Sequence, residues 1–324
     1  MRKVRKIEDV YSGLIINENY ICYFGKDFKL KSLNTKNLLH HSEFSFERDF
    51  EFRIINGLLY VSKNSELQVY CLTQKEYLKS YKTDKQYIIP LSSERLLAST
   101  YLRKSKDFEN VIMDESCQVL FELNGKLSYR DIHKEHILFS NRKGTCIGLI
   151  NSQNFKMLWQ TELIDTINGI SIDAENLIII PLANSLVALE KESSLVVWSN
   201  SQTLPHYEYD KGIGRLFGLN NKKFQILNAR TGRLEFQTDL FKDLIISSQL
   251  TYYHDRFLYF SGYQNNNVPV VGAITVENGA LEFLQEIDIP GEKSQRNGLE
   301  RPVVVGNRLY VRDTLKNLHV FQEN

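Results

Sequence analysis

Short apolar runs separated by tight polar breaks recur along the whole chain. One stretch shows the pattern well: Asn176-Leu177-Ile178-Ile179-Ile180, then Ser185-Leu186-Val187-Ala188-Leu189, then Leu195-Val196-Val197-Trp198-Ser199, with a break at Lys191-Glu192-Ser193-Ser194. Runs of about five residues joined by two-to-five-residue polar breaks predict antiparallel strands in hairpins, here a three-stranded meander. The pattern returns as Gly57-Leu58-Leu59-Tyr60-Val61 with Leu67-Gln68-Val69-Tyr70, and as His136-Ile137-Leu138-Phe139-Ser140 with Cys146-Ile147-Gly148-Leu149-Ile150. It returns again as Gly214-Arg215-Leu216-Phe217-Gly218 with Phe224-Gln225-Ile226-Leu227.

The second turn of each unit starts near Asn34, Thr73, Asp114, Ser152, Lys191, Arg230 and Glu277, at spacings of 39, 41, 38, 39, 39 and 47. An eighth unit, Arg308-Leu309-Tyr310-Val311 with Leu318-His319-Val320-Phe321, closes the chain. A period near forty built from short strands predicts a β-propeller, because one four-stranded blade cannot bury its own faces and neighbours around an axis can. The expected fold is a single all-β domain over residues 1–324, an eight-bladed β-propeller of four-stranded antiparallel blades. Seven blades is the alternative, should one hairpin be a loop excursion. The last unit stops after its third strand, so Arg2 to Ile7 is expected to supply the missing outer strand and close the ring.

Composition narrows the function classes. Forty Lys and Arg stand against thirty-nine Asp and Glu, and this balance disfavours a nucleic-acid binder, which shows a basic excess. Hydrophobic residues make up 42% and charged residues 24%, ordinary globular usage rather than that of a disordered chain. No apolar run has the length needed to cross a bilayer, and the charged start Met1-Arg2-Lys3-Val4-Arg5-Lys6 lacks a secretory apolar core. Cys22, Cys71, Cys117 and Cys146 have neither zinc-site nor redox spacing, and three lie in apolar runs. A cytoplasmic, monomeric protein without membrane contact is expected.

Leu186-Val187-Ala188-Leu189 through Trp198, and Ile226-Leu227-Asn228-Ala229-Arg230-Thr231-Gly232-Arg233-Leu234, resemble the blade repeat of quinoprotein-like propellers. That family comprises the pyrroloquinoline-quinone dehydrogenases and their cofactor-free relatives. The match is best between about residues 134 and 240. The resemblance implies, for quinone-carrying members, a calcium-bound cofactor in the central channel, a tryptophan floor and a disulfide of neighbouring cysteines. This chain has no neighbouring cysteines, and Trp159 and Trp198 stand at the repeat's docking position on outer strands. The resemblance therefore points to the cofactor-free branch, whose members mostly bind proteins. No cofactor and no metal is expected.

Three loops break the short pattern and are the expected partner-binding elements, since loops carry recognition while blades give rigidity. They contribute Arg103, Lys104 and Lys106, then Tyr263, Gln264 and Asn265, then Lys293, Gln295 and Arg296. The alternative is an enzyme, or a small-ligand or metal binder, using His206, Glu208 and Asp210 at the channel, because a histidine beside carboxylates can act as acid, base or ligand. No third group at fixed spacing completes a catalytic set, and the alternating Tyr207 and Tyr209 read as packing residues. The phosphate-loop, His-Glu-x-x-His and Gly-x-Ser-x-Gly motifs are absent from the sequence. Asp114-Glu115 and Glu190-Lys191-Glu192 read as solvated turn charges. The expected function is non-catalytic binding of another protein on the loop-rich face, as a scaffold, adaptor or immunity-type partner.

Overall fold

The computed structural model describes the chain except residues 17–18, 28, 46–50, 56–57, 64–65, 72–73, 75, 83–86, 91–94, 103–106, 115, 124–126, 134–135, 142, 202–203, 221–222, 240–242, 265–266, 290–297 and 323–324. The described residues contain strands and no helix, arranged as eight four-stranded antiparallel sheets. Sheets 1 to 7 are each four consecutive strands, spanning residues 12–45, 51–82, 87–123, 127–162, 172–200, 208–239 and 244–286. Sheet 8 combines Val303–Val305, Arg308–Arg312 and Leu318–Gln322 with the N-terminal strand Arg2–Ile7, which pairs antiparallel with Leu318–Gln322.

Burial explains why the runs look as they do. Leu177–Pro181 is buried at every position, because a middle strand is covered on both faces by neighbouring sheets. The outer strand Val196–Asn200 is exposed at Val196, Val197 and Ser199 and buries Trp198. Each hydrophobic cluster spans two sheets. Leu138, Ile147 and Trp159 meet Ile178 and Val187 between sheets 4 and 5, and Leu186 and Trp198 meet Leu216 and Leu227 between sheets 5 and 6. Ile7, Tyr310 and Val320 of sheet 8 meet Ile21, Tyr23 and Leu33 of sheet 1.

The turn into the outer strand is one device used repeatedly. Asn34, Asn151 and Asn228 each accept backbone N–H bonds from the residues two and three positions later, which fixes the turn. Four positions on, the backbone is left-handed at Leu38, Phe155 and Gly232, as it is at Ser194 and Gly279 in the turns that start at Glu190 and Thr275. That conformation costs a residue with a side chain about 1–2 kcal/mol. At Leu38 and Phe155 burial offsets it, since enclosing such a side chain contributes roughly 1.5–3 kcal/mol. A bulge accompanies this hairpin in sheets 1 to 7, for instance between Ala188 and Leu189 and between Ile226 and Leu227. Four of the turns begin one or two residues earlier than the spacing predicts, at Asn151, Glu190, Asn228 and Thr275.

Candidate functional site

His206 ends the connection from sheet 5 to sheet 6, and Glu208 and Asp210 bound the short first strand of sheet 6, Glu208–Asp210. Alternate residues of a strand share a face, which puts Glu208 and Asp210 on one side of it. His206 Nε2 and Glu208 Oε1 are 2.9 Å apart, and Arg301 Nη2 donates to that same oxygen at 2.6 Å. Arg301 lies just before Val303–Val305 of sheet 8, ninety-three residues from Glu208. Its Nε donates to the Thr251 carbonyl at 2.6 Å, and its guanidinium sits 5.4 Å from the Tyr252 ring centroid. One cluster thus ties sheets 6, 7 and 8 together, with the side chains of His206 and Glu208 only 11% and 14% exposed. Burial raises the Tyr252 hydroxyl, an effect the Arg301 charge opposes.

Asp210 stands apart from that cluster. Its carboxylate accepts the Tyr253 hydroxyl at 2.5 Å and the Gly212 backbone N–H at 2.7 Å. Burial first, then the hydrogen bond and charge of Asp210, push the Tyr253 hydroxyl well above the ordinary phenol range. The structure therefore joins His206 to Glu208 and assigns Asp210 a different partner. Tyr207 packs as expected: it is buried, its hydroxyl donates to Gln225 at 2.8 Å, and burial raises it strongly. Among the described residues no group of three or more His, Cys, Asp or Glu side chains is arranged to hold a metal ion.

Of the expected partner-binding residues, Tyr263 and Gln264 lie at the end of the strand Phe257–Gln264 in sheet 7. A Cβ at Gly298 would meet the Tyr263 hydroxyl at 2.5 Å, so this hairpin leans against the segment leading into sheet 8. Residues flanking the first expected loop also extend strands, since Leu102 pairs with Asp107. Arg103, Lys104, Lys106, Asn265, Lys293, Gln295 and Arg296 fall outside the described residues.

Three features escaped the sequence reading. Arg301 is one, since nothing in its neighbourhood marks a partner so distant in the chain. The second is a buried set in sheet 8, where Asp313 accepts from Asn317 Nδ2 at 2.9 Å and lies 2.8 Å from His319 Nε2. Burial alone would raise the Asp313 carboxyl, but hydrogen bonds from His319 and Asn317 outweigh it and leave it below the ordinary aspartate range. A signal did exist: Asp313 accepts the backbone N–H of Asn317 at 2.8 Å just as Asn141 accepts that of Thr145 at 2.8 Å in the matching turn of sheet 4. The third is Lys191, which is no solvated turn charge. Its side chain is 12% exposed and its ammonium pairs with Asp173, because the turn folds back onto the first strand of its own sheet.

No family model matches the chain, and no curated protein matches it in sequence. Solved structures do match in shape. A computationally designed protein, Ika8, aligns with a TM-score of 0.72 at 8% identity, over 99% of this chain and 98% of that one. The C-terminal WD40 domain of Sif2 gives 0.70 at 10% identity, over 100% and 98%. BamB from Moraxella catarrhalis gives 0.66 at 10% identity, over 99% and 97%. At such identities the likeness carries the fold alone, which is that of a β-propeller.

Proposed function

We propose that the chain is a single-domain, eight-bladed β-propeller whose ring is closed by the N-terminal strand, and that it binds another protein without catalysis. The ring is supported by eight clusters, each bridging two sheets, with Ile7, Tyr310 and Val320 against Tyr23 joining the last sheet to the first. Membership of the cofactor-free quinoprotein-like branch is supported by the indoles: Trp159 Nε1 donates to the Lys191 carbonyl at 2.6 Å and Trp198 Nε1 to the Ala229 carbonyl at 3.1 Å. Each docks an outer strand onto the next sheet's turn. Four free cysteines fit a reducing, cytoplasmic setting.

The single observation that carries the non-catalytic reading is the mutual satisfaction of His206, Glu208 and Arg301. One carboxylate oxygen, Glu208 Oε1, meets both His206 Nε2 and Arg301 Nη2, and the guanidinium is further held by a carbonyl and a ring, so the groups brace three sheets. A general base needs a free lone pair toward substrate, and the Glu208 oxygen beside His206 is already engaged by Arg301. The partner surface is the face where the connections between sheets emerge, with Arg103, Lys104, Lys106, Tyr263, Gln264, Asn265, Lys293, Gln295 and Arg296 as contacts. Tyrosine and arginine side chains are enriched among the few residues that supply most of the binding energy of typical interfaces.

Affinity capture with cross-linking from the native host tests this reading. The wild-type chain should retain one stoichiometric partner, and a Tyr263→Ala/Arg296→Ala variant of unchanged melting temperature should lose it. A partner held equally by both, or none captured by either, would contradict the proposal.

A further inference from the structure

A cavity of about 360 Å³ opens between sheets 5 and 6, at the far end of their first strands from His206. Its size falls at the low end of the ~300–1,000 Å³ usual for small-ligand sites. The floor is apolar and small: Ala174, Leu177 and Ala229 are all buried. The half-buried Tyr209 ring forms part of the lining. The two walls differ in charge, the sheet 5 side offering Glu175 and Asn176 and the sheet 6 side Lys211 and Arg230.

Neighbouring charges are matched. Lys191 pairs with Asp173, Arg215 with Glu235, and Asp210 with Tyr253. Among the described residues, no ion pair or side-chain hydrogen bond engages Glu175, Lys211 or Arg230. Two backbone features shape the cavity. Glu175 occupies a left-handed position at φ 53°, where the equivalent turn of sheet 8 carries Gly306 at φ 59°. A long side chain thus stands where the backbone favours glycine. The corresponding turn of sheet 6, Lys211-Gly212-Ile213-Gly214, has four residues where those of sheets 5, 7 and 8 have two, and it raises Lys211 over the opening.

We infer that this cavity binds a small zwitterion of the amino-acid type, its carboxylate toward Lys211 and Arg230, its ammonium toward Glu175, and an apolar side chain on Tyr209 and the floor. A ligand with one charge would leave the opposite wall unmatched, and a neutral one would leave both. The Tyr209 hydroxyl, raised by burial and by Glu175, Asp173 and Asp210, stays protonated and able to donate.

The test is thermal shift and calorimetric titration of the full chain with L-alanine, L-valine, L-leucine and L-phenylalanine, alongside 3-phenylpropionate and phenethylamine. At least one amino acid should raise the melting temperature at millimolar concentration. Both analogues, each lacking one charged group, should bind about tenfold more weakly or worse than L-phenylalanine, as expected on losing a charge-assisted contact. Arg230→Gln and Glu175→Gly should each weaken binding by a similar factor. Glu175→Gly should melt no lower than wild type, which separates lost binding from lost folding. No response to any of the four amino acids, equal binding of either analogue, or unchanged binding in both variants would overturn the inference.

Discussion

Between sheets 5 and 6 the Ala229 carbonyl accepts from the buried indole of Trp198, whereas between sheets 8 and 1 the equivalent carbonyl, that of Thr35, accepts from Arg308 at 2.5 Å and Tyr310 at 3.4 Å. Arg5 adds a bond to the Leu38 carbonyl at 2.7 Å. The difference follows from the origin of the outer strand. In sheet 5 it is the fourth strand of a continuous meander and carries the aromatic that the repeat supplies. In sheet 8 it is Arg2–Ile7, exposed at every position but Ile7, and it has no indole to offer. Arg5 reaches the Leu38 carbonyl from the exposed outer strand and Arg308 reaches the Thr35 carbonyl from the strand Arg308–Arg312, each guanidinium staying partly hydrated while its stem covers apolar surface. Both junctions bury a hydrophobic cluster; the carbonyls of the turn are met by a buried indole at one and by arginines and a tyrosine at the other.

The largest effect expected from breaking this contrast is at the indole. Trp198→Ala removes a nearly buried ring together with its hydrogen bond, and should cost about 3–5 kcal/mol in urea unfolding. Gly232→Ala attacks the same junction from the other side. Its Cβ would collide with the Trp198 ring while the backbone stays left-handed at φ 67°, so a loss of about 2–3 kcal/mol is expected. The paired variant Arg5→Ala/Arg308→Ala should cost less, about 1 kcal/mol for each side chain, because both donors are partly solvated. Its distinctive readout is local: hydrogen exchange should speed up in residues 2–7 while sheet 5 stays protected.

A smaller and pH-dependent effect belongs to Asp313 beside the strands of sheet 8. Its folded value is depressed, so its stabilisation is complete above the ordinary aspartate range and disappears as pH falls through the lowered value. Acid titration of unfolding free energy should therefore fall less steeply at the low-pH end in Asp313→Asn than in wild type. Equal slopes would remove Asp313 from the account.

The fold was legible because its signals are local. A five-residue apolar run is a middle strand covered on both faces, and an Asn followed by a tight polar break is a turn whose side chain bonds its own backbone; both lie within one hairpin. The placement of Arg2–Ile7 was legible by elimination, the last unit being one strand short. Arg301 was not legible, because its partners Glu208 and Thr251 belong to other sheets and only tertiary packing brings them within 2.6 Å. Lys191 misled for a related reason: a charge in a turn reads as solvated until the turn is seen folded over Asp173. His206, Glu208 and Asp210 were rightly seen as neighbours in sequence, but Tyr253 captures Asp210 and divides the set.

The central claim is that the N-terminal strand is an integral part of the last sheet. Native-state hydrogen exchange read at residues 2–7 and 318–322 tests it most directly. The account predicts that both segments exchange slowly and open together, with a common free energy that falls in Arg5→Ala/Arg308→Ala. Exchange of residues 2–7 at the rate of free chain, beside a protected 318–322, would contradict it.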